Sequence, residues 1–144
     1  MNKKLEDLTL GENGEAVLYK LIRPIGFRRL KKFCPFDFYN KTTTSFIELK
    51  TRNVSSDRYP TTIIPKSKID WFLKRKEKRI SLKSYFIVKF TDGLKIIELK
   101  ENELTTYECS PFRRYDRGSI DKEKLYYFIN VSLFSDFNID ILKS

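Results

Sequence analysis

Residues 34–52 read CPFDFYNKTTTSFIELKTR, and this stretch indicates a β-hairpin that carries acidic side chains. Two runs rich in strand-forming residues, Phe36–Tyr39 and Phe46–Arg52, are separated by the polar segment Asn40–Ser45. Apolar and aromatic runs interrupted by a short polar segment are typical of paired antiparallel strands. The sequence therefore predicts a hairpin at this point of the chain.

The two strands of this hairpin place three ionisable residues near one another. Glu48 and Lys50 lie two positions apart, so their side chains share one face of the strand, while Ile47 and Leu49 point to the other face. Ten residues separate Asp37 from Glu48. We therefore expect the hairpin to bring both carboxylates within a few ångströms. The alternative interpretation is ordinary amphipathic patterning, with Asp37 as a turn residue.

Clustered carboxylates favour a hard divalent cation, because each raises the electrostatic cost of ionising the other. Mg²⁺ takes oxygen ligands, keeps waters that can become nucleophiles and can polarise a phosphoryl oxygen. From the same face, Lys50 could hold or help to activate the attacking water, or balance charge in the transition state. Asp37, Glu48 and Lys50 are the predicted catalytic group.

This arrangement resembles the PD-(D/E)xK nuclease superfamily, in which an apolar-flanked Asp precedes an apolar-(D/E)-apolar-Lys strand. The resemblance covers about residues 8–75 and implies an α/β (α+β) fold. In that fold a restriction-endonuclease-like core has a central mixed β-sheet flanked by helices. The literal Pro-Asp pair is absent, since Phe36 precedes Asp37 and the proline is Pro35. The resemblance implies a metal-dependent nuclease that uses Mg²⁺ or Mn²⁺.

In many members of the superfamily the preceding helix supplies a further acid. Helical periodicity predicts a helix over residues 8–22, and Glu15 lies at the margin of its apolar stripe. The resemblance therefore gives Glu15 as a third metal ligand and catalytic residue, with Glu12 as second choice. The segments 14–18 (GEAVL) and 25–28 (IGFR) are similar to the opening of archaeal Holliday-junction resolvases.

The tetrapeptide Ile-Glu-Leu-Lys occurs twice, at 47–50 and 97–100. In the second copy only five residues separate Asp92 from Glu98, and Asp92-Gly93 has the composition of a tight turn. No helix with a marginal acid leads into this copy. We interpret Glu98 and Lys100 as structural.

The remaining elements follow from periodicity and turn residues. Ser67 with Asp70 resembles a capping box that starts a second helix, and residues 53–65 are expected to form a loop. The order is helix, strands, helix, strands, which predicts one layer of sheet with helices packed on it. The chain is expected to be one nuclease domain over 1–144, with the motif core at about 8–75 and C-terminal strands with a basic loop at 80–144. The other predicted elements are strands at Phe27–Phe33, Lys83–Phe90, Leu94–Leu99 and Leu125–Phe134, a helix to about Lys78 and a loop at 110–118.

The composition of the chain excludes several classes of enzyme and indicates the kind of partner. The chain has no histidine, which excludes histidine-dependent hydrolytic triads and most zinc enzymes. Its two cysteines, Cys34 and Cys109, are interpreted as structural thiols in a reducing compartment. Lys and Arg number 29 against 19 acids, giving a net charge of +10 that favours polyanionic partners.

Basic side chains near the hairpin are candidates for holding nucleic acid. Arg52 shares the face of Glu48, and Lys68 lies where many family members have an assisting Lys or Gln. Solvated surface charge is the alternative for each. The candidate nucleic-acid-binding residues are Arg52, Lys66, Lys68, Lys74, Arg75, Arg113 and Arg114.

The sequence thus predicts a metal-dependent phosphodiesterase. DNA is expected rather than RNA, with Holliday-junction or branched DNA as the first substrate to test and a homodimer left open. The rivals are a non-catalytic nucleic-acid-binding module that retains the fold and a basic domain that binds an acidic protein. No apolar run reaches the ~20 residues of a membrane span, and without a signal peptide the expected location is intracellular, cytoplasmic or nuclear, with a viral origin left open.

Overall fold

The computed structural model describes residues 14–112 and 124–143. A six-stranded mixed sheet has the order β1-β2-β3-β5-β6-β9, and a three-stranded antiparallel sheet has the order β4-β8-β7. The strands are β1 (Phe27–Arg29), β2 (Phe38–Asn40), β3 (Ser45–Thr51), β4 (Thr61–Pro65), β5 (Lys83–Phe90), β6 (Gly93–Glu98), β7 (Glu108–Phe112), β8 (Lys124–Asn130) and β9 (Ser135–Asp136). The helices are α1 (residues 14–22), α2 (Lys66–Lys78) and α3 (Glu101–Leu104). Single turns of 3₁₀-helix occupy Arg23–Ile25 and Val131–Leu133, and a longer one occupies Ile139–Lys143.

The larger sheet is organised around β5, which is parallel to β3 and antiparallel to β6. Its run of apolar residues is buried on both faces, as expected for a central strand that is covered on both sides. Because β3 and β5 are parallel, the chain must cross over between them. The crossover contains β4 and α2, and it carries α2 over one face of the sheet.

The helix α1 covers the opposite face of the sheet from α2. Leu18 and Ile22 of α1 are fully buried and pack with Ile47 of β3 and Ile87 of β5. Gly14 lies against Thr51, where an added Cβ would meet the Thr51 Oγ1 at 2.5 Å. Gly14 of α1 therefore lies beside the C-terminal end of β3.

The helix α2 packs on the face that carries Phe46, Glu48 and Phe86. Its buried residues are Ile69 and Phe72; Phe72 packs in an aromatic group with Phe36 and Phe46. Ile69 belongs to a separate apolar cluster with Phe86. The larger sheet is thus covered on both sides by helices that lie on opposite faces. No helix in the described ranges is long and apolar enough to cross a bilayer.

Several predicted elements are confirmed. The hairpin of β2 and β3 pairs Phe38 with Ile47 and Asn40 with Ser45. The strands predicted at 83–90 and 94–99 correspond to β5 and β6, joined by a turn at Thr91 and Asp92 that is followed by Gly93 with φ +147°. The mixed sheet with flanking helices is the predicted fold class. Residues 8–13 of the first predicted helix lie outside the described residues.

Other expectations were wrong. The strand predicted at Phe27–Phe33 is shorter than expected, because β1 ends at Arg29 and the chain turns from Lys31 to Cys34. Phe33 is therefore 94% exposed instead of lying in a strand. The predicted loop 53–65 contains β4, whose partner β8 is far away in sequence and leaves no local signal. The predicted single sheet is in fact two sheets, since β4, β7 and β8 pair among themselves. The capping box at Ser67 is absent, as α2 begins at Lys66 after Pro65 with no side-chain cap.

Candidate active site

Hydrogen bonds fix the position of Asp37, which directly precedes β2. Its backbone amide donates to the Ile47 carbonyl at 2.9 Å, and its own carbonyl accepts from the Leu30 amide at 2.9 Å. One carboxylate oxygen, Oδ2, accepts a hydrogen bond from the Leu49 backbone amide at 2.8 Å. The side chain therefore reaches across to β3 at the residue that follows Glu48.

Glu48 lies on β3 with its side chain toward α2. The residue is 8% exposed, and its Oε2 accepts a hydrogen bond from the Lys68 ammonium at 2.5 Å. Lys68 is in the first turn of α2, so this contact joins the crossover helix to the sheet. Repulsion from Asp37 contributes to the raised pKa of Glu48, so the two carboxylates lie close to each other. The structure thus brings together two carboxylates and one ammonium group.

The pKa values of the two carboxylates depend on their burial and on the charges around them. Burial raises the pKa of Glu48 to about 7, with repulsion from Asp37 adding to the effect and Lys68 opposing it. Burial also raises the pKa of Asp37, while the Leu49 amide and the charge of Lys68 act in the opposite direction. At neutral pH the pair therefore resists a second negative charge unless positive charge is supplied.

A cleft of about 320 Å³ lies over Glu48, and Asp37 is not among the residues that line it. Lys50 lines it together with Glu48 and Lys68, so the predicted Glu-x-Lys face is realised. Lys124 and Tyr126 of β8 line the opposite wall. These two residues were not predicted, because they reach the cleft only through the pairing of β8 with β4, which no local sequence pattern indicates.

Glu15 does not lie with Asp37 and Glu48. It is partly exposed on α1, which packs on the face of Ile47, whereas Glu48 points to the opposite face. The contact of Gly14 with Thr51 nevertheless places Glu15 near the end of β3. Within residues 14–112 and 124–143, no group of three or more Asp, Glu or Cys residues could hold a metal ion. The role of Glu15 stays a prediction.

The other predicted basic residues occupy varied positions. Arg52 follows β3, and its guanidinium lies 3.5 Å from the Thr62 hydroxyl of β4. Lys66 forms an ion pair with Asp70 at 2.7 Å. Lys74 is exposed on α2. The predicted residues Arg113 and Arg114 lie outside the described residues.

Arg75 also lies on the exposed side of α2, where its guanidinium stacks over Trp71 at 3.5 Å from the ring centroid. Trp71 in turn packs against Phe36 and Phe46 beneath it. The Arg75 guanidinium also donates to the Trp71 carbonyl at 3.3 Å, so the stacking and this hydrogen bond together fix its direction. Arg75 therefore presents an oriented cation on the surface of α2.

The second Ile-Glu-Leu-Lys copy is used differently. Asp92 accepts hydrogen bonds from the backbone amide and the hydroxyl of Ser56, at 2.9 and 2.6 Å, and so anchors the loop before β4. Glu98 ends β6, and Lys100 precedes α3 on the surface. Asp92 thus occupies the turn that the spacing predicted, and the structural interpretation of Glu98 and Lys100 stays a prediction.

The donor set of the pair suits a hard divalent cation. Asp37 and Glu48 supply carboxylate oxygens, the ligands that Mg²⁺ and Mn²⁺ take, and the cleft leaves room for water. Both pKa values are raised in the absence of a cation, so bound positive charge would relieve the repulsion. The residues present therefore fit such an ion through two ligands, and a third ligand from Glu15 stays a prediction.

Comparisons with known proteins agree with this fold. A family model described as "Phage putative PDDEXK endonuclease" matches residues 25–137. The crystal structure of the Holliday junction resolvase Hjc from Archaeoglobus fulgidus is similar at a TM-score of 0.56 and 14% identity, covering 93% of this chain and 97% of that chain. At this identity the likeness concerns the fold alone. Among curated proteins, none is significantly similar in sequence.

Proposed function

Since the chain belongs to the phage PDDEXK endonuclease family, we propose that it hydrolyses phosphodiester bonds of DNA with the help of a divalent metal ion. The observation that carries the proposal is that Asp37 and Glu48 lie close together, and that Glu48 lines a cleft with three lysines. A pair of buried carboxylates is costly to the fold, and this cost is accounted for if the pair binds a cation.

Each residue of the group has a separate task in this proposal. Asp37 and Glu48 hold Mg²⁺ or Mn²⁺, and the Leu49 amide fixes the orientation of Asp37 so that its other oxygen is available. When bound, the ion supplies positive charge that polarises the scissile phosphate and promotes ionisation of water. Lys50, on the same strand face, orients the attacking water or neutralises charge that develops on the phosphate.

Lys68 has a more central task than the phosphate contact predicted for it. Its ammonium neutralises Glu48 while the cation is absent, and it lies close enough to lower the pKa of Asp37 as well. When a divalent ion occupies the pair, the long side chain of Lys68 can turn toward the cleft and meet a phosphate oxygen. Lys68 would therefore exchange the Glu48 carboxylate for a phosphate oxygen when the metal ion and the DNA bind.

The substrate is proposed to be DNA, with branched DNA as the first candidate. The net charge of +10 favours a polyanion, and three lysines line the cleft: Lys50, Lys68 and Lys124. The fold is shared with a protein whose description is a Holliday junction resolvase. The preference for DNA over RNA, the branched substrate, the homodimer and a role for Glu15 all belong to this proposal.

The proposal is tested by incubating the protein with several substrates in Mg²⁺, Mn²⁺ or EDTA. The set comprises linear duplex, single-stranded, nicked and four-way-junction DNA together with single-stranded RNA of matched sequence. We expect cleavage with metal and none in EDTA. Metal-dependent cleavage should be lost in Asp37→Asn and Glu48→Gln. If no substrate is cut in either metal, the enzymatic function is rejected.

The second copy of the motif supplies a matched control. Glu98→Gln makes the same chemical change as Glu48→Gln within the same tetrapeptide, at a residue that lines a surface depression away from the pair. Its cleavage rate should equal that of the unmodified protein. A Glu15→Gln variant belongs in the same series. A fall in its rate and in its Mn²⁺ affinity, measured by calorimetry, would support Glu15 as a third ligand.

A non-catalytic nucleic-acid-binding module is the second candidate. The observation in its favour is that Lys68 already neutralises Glu48, so the pair can exist without a metal. This alternative expects binding that is insensitive to EDTA and no cleavage. Calorimetric titration with Mn²⁺ separates the two, since a binding module with Lys68 in place should show no heat of metal binding.

A further inference from the structure

Phe33 is the most exposed large apolar residue in the described ranges, at 94% of its surface. An aromatic ring in this position contributes almost nothing to burial and exposes apolar surface to water. Single exposed apolar residues are common and need no explanation by themselves. Three further features of the surroundings distinguish this one.

The first feature is that the loop is held in place at both ends. The Cys34 amide donates to the Lys31 carbonyl at 2.9 Å, which closes a turn with Phe33 at its third position. The Leu30 amide donates to the Asp37 carbonyl at 2.9 Å, which closes the loop at its base. Phe36 is 1% exposed and is anchored among Phe46, Trp71 and Phe72. The Phe33 ring is therefore presented on a fixed turn.

The second feature is the charge beside the ring. Lys31 and Lys32 precede Phe33 directly, and both are exposed. Proteins that hold single-stranded nucleic acid combine cations that follow the phosphates with aromatic rings on which bases stack. Two lysines and one fully presented phenylalanine on a single turn have this composition. An apolar protein partner would not be favoured by two charges next to the ring.

The third feature is the proximity of the turn to the carboxylate pair. Three residues separate Phe33 from Asp37, so their Cα atoms lie at most about 14 Å apart along the chain. Successive nucleotides of one strand rise about 3.4 Å. The ring therefore lies within about four nucleotides of a phosphate bound at Asp37 and Glu48.

We propose that Phe33 stacks on an unpaired base near the scissile phosphate and so selects DNA with an open or branched structure. The inference rests on the proposed function, because it takes the position of the scissile phosphate from it. In a continuous duplex both faces of every internal base are already stacked on neighbours. A base at a branch point, flap or single-stranded end leaves one face free for the ring. Lys31 and Lys32 hold the adjacent phosphates in any substrate.

The test uses the full chain in EDTA, so that binding is measured without cleavage. A four-way junction, a flap and a linear duplex of equal length each carry 2-aminopurine, at the branch point in the first two and at the centre of the third. Stacking of Phe33 should quench the fluorescence in the branched substrates. Phe33→Ala should lose this quenching and bind branched DNA roughly 5- to 100-fold more weakly, with linear duplex unchanged. Phe33→Trp should retain both properties.

Two controls separate stacking from other effects. Ile80→Ala removes the next most exposed apolar side chain, at 84%, from the loop after α2 and should change nothing. Lys31→Ala should weaken the binding of all three substrates to the same extent. It should also reduce the slope of log affinity against log salt concentration by about one. A Phe33→Ala variant that binds junction and duplex with unchanged relative affinity overturns the inference.

Failure of this inference is distinguishable from failure of the proposed function. Cleavage by the unmodified protein in Mg²⁺ reports on the function, whereas quenching in EDTA reports on Phe33. Cleavage by the unmodified protein without a Phe33 effect on quenching or on relative affinity rejects only the stacking role. Quenching that depends on Phe33 in a protein that cuts nothing rejects the nuclease and keeps the base contact.

Discussion

The Lys68 ammonium lies 2.5 Å from the Glu48 carboxylate, and this contact joins the crossover helix α2 to the central sheet. Both side chains are largely buried, at 29% and 10% exposure. The interaction matters because Glu48 also faces Asp37, so Lys68 neutralises a pair rather than a single acid. The charge balance of the site therefore depends on a residue outside the Asp…Glu-x-Lys pattern.

Removing Lys68 should make the metal-free protein less stable in a pH-dependent manner. Lys68→Met leaves Glu48 without its cation, so the pKa of Glu48 should rise above about 7. At pH 8 we expect a loss of about 1–3 kcal/mol in the free energy of unfolding, and a smaller loss at pH 5, where Glu48 is protonated. Urea unfolding in EDTA measures both values. Lys66→Met is the control, since its partner Asp70 is half exposed and the loss should stay within about 1 kcal/mol.

Glu48→Gln should stabilise the metal-free protein at high pH. Folding raises the pKa of Glu48 from 4.5 to about 7, so the protonated form favours the native state. The stability from this group is fully present below pH 4.5 and is lost as pH rises through about 7. Glutamine stays neutral, and the variant should exceed the unmodified protein by about 1–3 kcal/mol at pH 8 in EDTA. Equal stability of the two proteins at pH 8 would contradict the raised pKa.

Divalent metal should stabilise the unmodified protein and should do so more strongly as pH rises. Metal binding requires ionised carboxylates, so protons compete with the ion below about pH 7. At a Mn²⁺ concentration 100-fold above the dissociation constant, the gain should be about 2.7 kcal/mol at pH 8. Thermal unfolding at pH 5.5 and pH 8 measures the difference. The gain should vanish in Asp37→Asn and persist in Asp92→Asn, whose carboxylate serves Ser56.

Two substitutions of Asp37 should separate folding from catalysis. Asn retains an oxygen that can accept the hydrogen bond from the Leu49 amide, whereas Ala leaves that buried donor unsatisfied. Asp37→Ala should therefore cost about 1–3 kcal/mol more stability than Asp37→Asn. Both should abolish metal-dependent cleavage. Retained cleavage in Asp37→Asn, with the fold verified by circular dichroism, would remove Asp37 from the ligand set.

Gly14→Ala should disturb the seating of α1 on the sheet. The added methyl would lie 2.5 Å from the Thr51 Oγ1 and 3.2 Å from the Lys89 side chain. The first contact requires a shift, and overpacking of this kind costs about 1–3 kcal/mol. Thr51→Ala removes the clashing atom, so the double variant should recover most of the loss in a thermal unfolding cycle. Additive effects of the two substitutions would show that the helix does not approach Thr51 this closely.

Local sequence patterns were sufficient for the elements whose partners are near in sequence. The hairpin of β2 and β3, the helix α2 and the hairpin of β5 and β6 were all predicted within a few residues. The proximity of Asp37 and Glu48 followed from the hairpin, and the shared face of Glu48 and Lys50 followed from the two-residue period of a strand. The strand β4 was missed because its partner β8 lies about 65 residues away and leaves no signal in the sequence of β4. Phe33 was wrongly assigned to a strand, because a turn that contains two lysines can show the same alternation of apolar and basic residues as a strand.

The sequence by itself determined which side chains the candidate site offers: Asp37, Glu48 and Lys50 in that order, no histidine, and an excess of positive charge. These depend on residue identity and on the geometry of single strands, which act over short distances. Only the tertiary structure decided which further groups meet the acids. The parallel pairing of β3 with β5 forces a crossover that places Lys68 on Glu48, and the pairing of β4 with β8 brings Lys124 to the cleft. Packing of α1 on the opposite face kept Glu15 out of the pair, because burial of Leu18 and Ile22 fixes which side that helix covers.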